Sequence, residues 1–226
     1  MALVPYRTFV LYWLMRVRRD ERPRNVDYYR RNRDLEIRRV RVRQAGMVEL
    51  LRDLRRVPCG ECGGNFKPHQ MDFDHRDPAS KSFRVTAGGA MLMATRKVLD
   101  EVAKCDILCA NCHRIRSRDQ HRARLARQSR GTSVRLDEKR AVWRRQAAML
   151  DRLRDVPCAD CGRRFPPCSM DFDHRDPTQK RSTVPAMIGR AGDARILAEA
   201  GKCDIVCANC HRARTFDRRA LAIGRE

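Results

Sequence analysis

Four cysteines in the pattern Cys59-x-x-Cys62 and Cys109-x-x-Cys112 could hold one tetrahedral Zn²⁺. Each CxxC knuckle would offer two thiolates at roughly 2.3 Å from the ion. Forty-six residues separate Cys62 from Cys109, more than an ordinary zinc ribbon contains, so the spacing implies a functional insertion between the knuckles. That insertion contains the run Met71-Asp72-Phe73-Asp74-His75. A carboxylate beside an imidazole supplies a hard oxygen ligand for Mg²⁺ or Mn²⁺ and a base that titrates near neutrality. Phosphodiester hydrolysis needs both: a cation to neutralise charge on the phosphate and leaving oxygen, and a base to deprotonate water. The plainer use of the same residues is a structural Asp–His hydrogen bond at a strand end. The surrounding cysteine frame and the charge of the chain favour the chemical use.

The whole pattern recurs. Cys158, Cys161, Cys207 and Cys210 repeat the knuckles, and MDFDHRDP returns at 170–177. The offset is 99 residues for Asp74/Asp173 and His75/His174, and 98 for Cys109/Cys207 and His113/His211, so one residue is missing from a connecting loop. This is a tandem duplication, since solenoid repeats have periods of roughly 20–50 residues. Each copy of about 75 residues has few large apolar side chains, and domains of that size usually need a staple. Eleven cysteines is an odd number and no secretory leader is visible, so the expected staple is zinc in a reducing cytoplasm, not disulfides. Cys105 and Cys203 are expected to pack, and Cys168 has no counterpart in the first copy.

Fifty basic residues stand against twenty-eight acids, a formal net charge of +22 that attracts phosphate backbones without regard to sequence. Aromatic residues make up only 6%, which argues against base-stacking platforms of the single-strand-binding kind. Nothing in the chain suggests a membrane partner. The segment TFVLYWLM at 8–15 is too short to span a bilayer. It reads as a short buried strand or helix, or as an extension upstream of the natural start.

The elements that must position these residues follow from local patterns. Residues 16–56 carry fifteen arginines with apolar residues at helical spacing, so one or two basic helices should end near Pro58. AAMLDRLRDVPC at 147–158 makes the same approach to the second knuckle. CGECGGNF and CADCGRRF read as glycine-assisted turns, and MDFDH as a short strand ended by RDP. In a straight strand Asp74 and His75 point to opposite faces, so a bend at HRDP would have to bring both to one phosphate. Helices are expected over 91–104 and 186–202, and CDILCANCHR should open a turn and a short helix bearing His113. SRGTS at 129–133 is the expected flexible point between the copies. The implied organisation is a largely helical basic arm (1–45), a first unit (46–118), a basic linker (119–143) and a second unit (144–222).

CGECG…MDFDHRDP…KCDILCANCHR resembles the HNH endonucleases, in particular the zinc-stapled branch common in phage and bacterial genomes. The resemblance covers roughly 57–116 and 156–215. It implies an α+β fold of two zinc-stabilised ββα-metal units, each with one structural Zn²⁺. It implies His75 and His174 as general bases, with Asp74, His113, Asp173 and His211 holding the catalytic Mg²⁺ or Mn²⁺. The family's middle asparagine precedes the last knuckle, where this chain reads Lys104-Cys105-Asp106. Either Asn111 and Asn209 or Asp106 and Asp204 would then orient the base, and Asp72 and Asp171 share a strand face with the metal aspartates. The expectation is a metal-dependent endonuclease acting on double-stranded DNA in a bacterial or phage-infected cytoplasm. Two tethered centres could then cut both strands. The alternatives are a catalytically inactive zinc protein that binds DNA and, less in keeping with the wide gap, a RING-like protein-interaction module.

Overall fold

The computed structural model describes residues 26–91, 93–126 and 134–223. The apolar segment 8–15, the first part of the basic arm and the SRGTS stretch lie outside them. The chain divides into two compact units, Met1–Ala45 and Gly46–Glu226. The described part of the first contains helix α1 (Val26–Arg31) and the start of α2 (Arg33–Leu54). Both copies of the cysteine pattern fall in the second, which is α+β with two separate two-stranded sheets.

The end of α2 buries Met47, Leu51 and Leu54, spaced four and three residues apart on one helical stripe. They form a core with Val98 and Val102 of α3 (Thr95–Val102). Pro58 and the first knuckle follow, then strand β1 (Met71–His75). Its antiparallel partner β2 (Cys105–Cys109) sets Met71 opposite Cys109 and His75 opposite Cys105. Helix α4 (Ala110–Ala126) begins on the next residue. The second copy repeats this order with α5 (Val134–Leu153), β3 (Met170–His174), α6 (Asp193–Ala200), β4 (Cys203–Cys207) and α7 (Ala208–Ile223). Its register is the same, Met170 opposite Cys207 and His174 opposite Cys203.

Three local expectations change. CDILC is a strand, not a turn, because MDFDH needs a partner for its backbone groups and the apolar Leu108 of that run is fully buried. The helix that bears His113 is long, seventeen residues. The helices expected over 91–104 and 186–202 shrink to α3 and α6. Short turns precede them, Ala87–Ala90 in the first copy and the 3₁₀ turn Val184–Met187 in the second, where Pro185 and Gly189 (φ 71°) break the helical path.

The two copies meet directly. α4 packs against the 3₁₀ turn Pro167–Ser169, and α7 against the equivalent turn Pro68–Gln70. At the second contact the His69 ring stacks on Phe216 with centroids 4.2 Å apart. Between the helix starts, the Asn209 amide donates to Asn111 Oδ1 (3.2 Å) and Gln70 Nε2 donates to the Asn209 carbonyl (3.0 Å).

Leu51→Ala and Leu150→Ala each empty a fully buried site in one copy's core. Each is expected to lower the free energy of unfolding by about 2–5 kcal/mol, read from the urea midpoint. A loss well under 1 kcal/mol would show that these helices only flank the core.

Candidate functional site

The cysteine knuckles come together as their spacing predicts. In each copy the four sulfurs, Cys59/Cys62/Cys109/Cys112 and Cys158/Cys161/Cys207/Cys210, lie within 4.8 Å of one another. Each group could hold a structural metal ion such as zinc, since tetrahedral thiolates at ~2.3 Å from an ion are separated by just under 4 Å. The turn depends on Gly63 and Gly162, whose φ values of 67° and 69° lie in the left-handed region. Their amides close back on the Cys59 and Cys158 carbonyls (both 2.9 Å). The Cys109 amide donates to Cys59 Sγ at 3.2 Å, as Cys207 does to Cys158. Burial opposes ionisation of Cys59 and Cys158, yet the amide hydrogen bonds outweigh it and bring both thiols down to about 7. Thiols so prepared suit a metal. All eleven cysteines are free of disulfides, and Cys105 and Cys203 are buried apart from the clusters.

A cavity of about 570 Å³ opens beside the first cluster's helix, lined among others by Asp74, His75, His113, Arg55, Lys81 and Arg84. One side is β1 and the other is the face of α4 that carries His113, Ser117 and Gln120, residues one and two turns apart. His113 Nδ1 lies 2.8 Å from Asp72 Oδ2, and His113 Nε2 lies 3.4 Å from Asp74 Oδ1. With Nδ1–H donating to Asp72, Nε2 turns its lone pair toward a carboxylate oxygen. Two electron-pair donors facing across that gap fit a divalent cation, and a carboxylate that fixes the tautomer of a metal-binding histidine is the usual support for one. Asp72 therefore orients His113 and does not simply face solvent.

His75 is buried, and its Nε2 lies 2.7 Å from Glu101 Oε1. Burial alone would raise the Glu101 carboxyl. Lys104 Nζ (2.7 Å), the Ser82 amide (2.7 Å), His75 and the Phe83 amide hold it far below the usual carboxylate range instead. An ionised Glu101 accepts the Nε2 proton and leaves Nδ1 as the basic nitrogen of His75. The second copy repeats the pair, with His174 Nε2 2.9 Å from Glu199 Oε1. There Lys202 is the foremost cause, and with the Arg181 amide it overrides burial to bring Glu199 down to about 2.

The asparagines do not take the orienting role. Asn111 Oδ1 accepts from the Asn209 backbone amide where the copies meet, and the partners of Asp106 and Asp204 are arginines. Glu101 and Glu199 hold the histidines. The signal that marks them is Glu-x-x-Lys-Cys-Asp, which recurs at 101–106 and 199–204, running from the end of a helix into the second strand of each copy.

The copies also exchange arginines. Arg212, from α7, reaches Asp72 Oδ1 (2.9 Å) and Oδ2 (2.7 Å), and Arg114, from α4, reaches Asp171 Oδ1 (2.6 Å). Asp171 in turn holds His211 Nδ1 at 2.7 Å, and His211 Nε2 lies 3.5 Å from Asp173 Oδ1. Each copy's carboxylate–histidine pair is thus braced by an arginine of the other. No protein-family model, curated protein or solved structure matches the chain. Among the described residues no helix is long and apolar enough to cross a membrane.

Two measurements follow. Chromophoric chelation after thiol blocking should release two Zn²⁺ per chain, and Cys109→Ser should release one and unfold the first copy's sheet, as judged by lost near-ultraviolet dichroism. Full zinc content in that variant would dismiss the cluster as a metal site. Burial would raise the Asp72 carboxyl, but His113 and Arg212 take it from 3.8 to about 2, so its stabilisation is complete above 3.8 and is lost as pH falls toward 2. Arg212→Gln should cost about 1–2 kcal/mol at neutral pH and move acid unfolding to higher pH. An unchanged acid transition would show that the exchanged arginine is not coupled to Asp72.

Proposed function

We propose that the chain is a metal-dependent endonuclease of the HNH type that hydrolyses phosphodiester bonds in double-stranded DNA, its repeats being zinc-stapled ββα-metal units. The observation that carries the reading is the shared cavity of the first copy. It gathers a histidine polarised by a buried carboxylate, an Asp74–His113 pair suited to a divalent cation, and the cations Arg55, Lys81 and Arg84. The reading is also supported by the +22 charge, which would draw a polyanion to that opening.

In this reading Asp74 and His113 hold Mg²⁺ or Mn²⁺, which when bound neutralises charge on the scissile phosphate and the leaving oxygen. Arg55, Lys81 and Arg84 grip the flanking phosphates. His75 takes a proton from water at Nδ1, and Glu101, hydrogen-bonded at Nε2, stabilises the imidazolium that forms. Glu101 is a positioning residue, since it touches the base and not the substrate. The resemblance to the HNH endonucleases implies that hydrolysis leaves a 5′-phosphate and a 3′-hydroxyl. A buried acid–imidazole pair at the wall of a basic cavity, beside a carboxylate–imidazole pair, favours catalysis over the non-catalytic alternative.

Supercoiled plasmid incubated with the zinc-loaded protein should be nicked with Mg²⁺ or Mn²⁺ and not with EDTA. His75→Ala should reduce nicking by about 10²–10⁴-fold while leaving DNA retention in gel shifts intact. Glu101→Gln should reduce it and also displace the acid limb of the pH–rate profile, which a purely structural role would not do. Retention without nicking under every metal condition would leave the non-catalytic reading in its place.

A further inference from the structure

The two carboxylate–histidine pairs share a backbone setting but not the residue that faces them from the next turns of the helix. In the first copy, seven residues beyond His113, stands Gln120; at the matching place beyond His211 stands Arg218. Gln120 lines the open cavity with Asp74 and His113. Asp74 Oδ1 faces His113, and the nearest guanidinium, Arg116, lies 3.4 Å away from the other oxygen and is shared with Asp106 and Glu61.

Asp173 is held quite differently. Arg218 Nη2 sits 2.7 Å from Oδ1 and 2.9 Å from Oδ2, and Arg214 Nη1 sits 3.0 Å from Oδ2. The oxygen that faces His211 Nε2 therefore already accepts a charge-assisted hydrogen bond from a guanidinium. The Asp173 side chain keeps 6% of its exposure, against 11% for Asp74. An arginine cannot be deprotonated to make room, so a divalent ion approaching Asp173 would meet a fixed positive charge.

We infer that only the first copy offers an open site for a divalent cation, and that in the second the guanidinium of Arg218 stands permanently in the cation's place. The inference rests on the cation site proposed above. It replaces two equal centres with one that works on metal and one closed by an internal counterion. Gln120 and Arg218 are the residues that decide which is which.

The test is Mn²⁺ titration of the full, zinc-loaded chain, with bound ion counted by loss of the free Mn²⁺ electron paramagnetic resonance signal. Zinc content and thermal melting confirm that each variant is folded. Wild type should bind one Mn²⁺. Asp74→Asn or Gln120→Arg should weaken that site by about 10–100-fold or more, and Asp173→Asn should leave it unchanged. Arg218→Gln should add a second Mn²⁺, and adding Asp173→Asn to that variant should remove it again. Two ions in wild type, one of them lost with Asp173→Asn, would overturn the inference and leave the nuclease reading standing. So would an Arg218→Gln chain that still binds only one. No Mn²⁺ in wild type and in Arg218→Gln alike would instead remove the cation site itself, and both readings with it.

Discussion

Eight sulfurs in two groups, each within 4.8 Å, are placed so that a metal would tie the loop before each first strand to the point where the second strand becomes a helix. That junction is where direction is decided. Cys109 closes β2 and Cys112 lies in the first turn of α4, so the cluster fixes the angle at which the helix leaves the sheet and hence where His113 meets Asp74. The apolar cores could not do this alone. The buried core around each knuckle is two cysteines with Met71 and Leu108 in one copy, and two cysteines with Met170 and Val206 in the other. A metal in such a site contributes folding free energy directly.

The sequence made the cysteine groups, the duplication, the MDFDH strand and the basic helix before each knuckle legible, because each is a local pattern of fixed spacing. It did not make the partner of His75 legible. Glu101 is twenty-six residues away and meets His75 only because β1 pairs with β2, while α3, separated from β2 by Ala103 and Lys104, is packed against α2. Asn111 and Asn209 were attractive by type and proximity to the knuckle. They serve instead as the contact between copies, a use that no single repeat can reveal. The CDILC strand was hidden for a related reason: with a cysteine at each end it reads as part of a knuckle until MDFDH supplies its partner. The linker also reads as a charge run, but its described ends are helix, the tail of α4 and the start of α5.

Charge is distributed with the same economy. The acids near each centre are few, and most are shared by arginines that serve several at once. Arg116 joins Glu61, Asp74 and Asp106, while Arg214 joins Asp160, Asp173 and Asp204. Such networks neutralise several acids with one guanidinium each. The arginines exchanged between copies are a further case, because the aspartates they neutralise are the ones that orient the histidines.

That exchange has a genetic consequence. An assembly of two identical chains joined through the same contacts would carry every substitution twice, and a guanidinium placed over one carboxylate would silence its twin as well. A chain that encodes both copies is released from this symmetry. One copy can specialise as a brace, keeping Arg212 in reach of Asp72, while the other retains the open pair Asp74 and His113. The difference between Gln120 and Arg218 is of a kind that two identical chains could not carry.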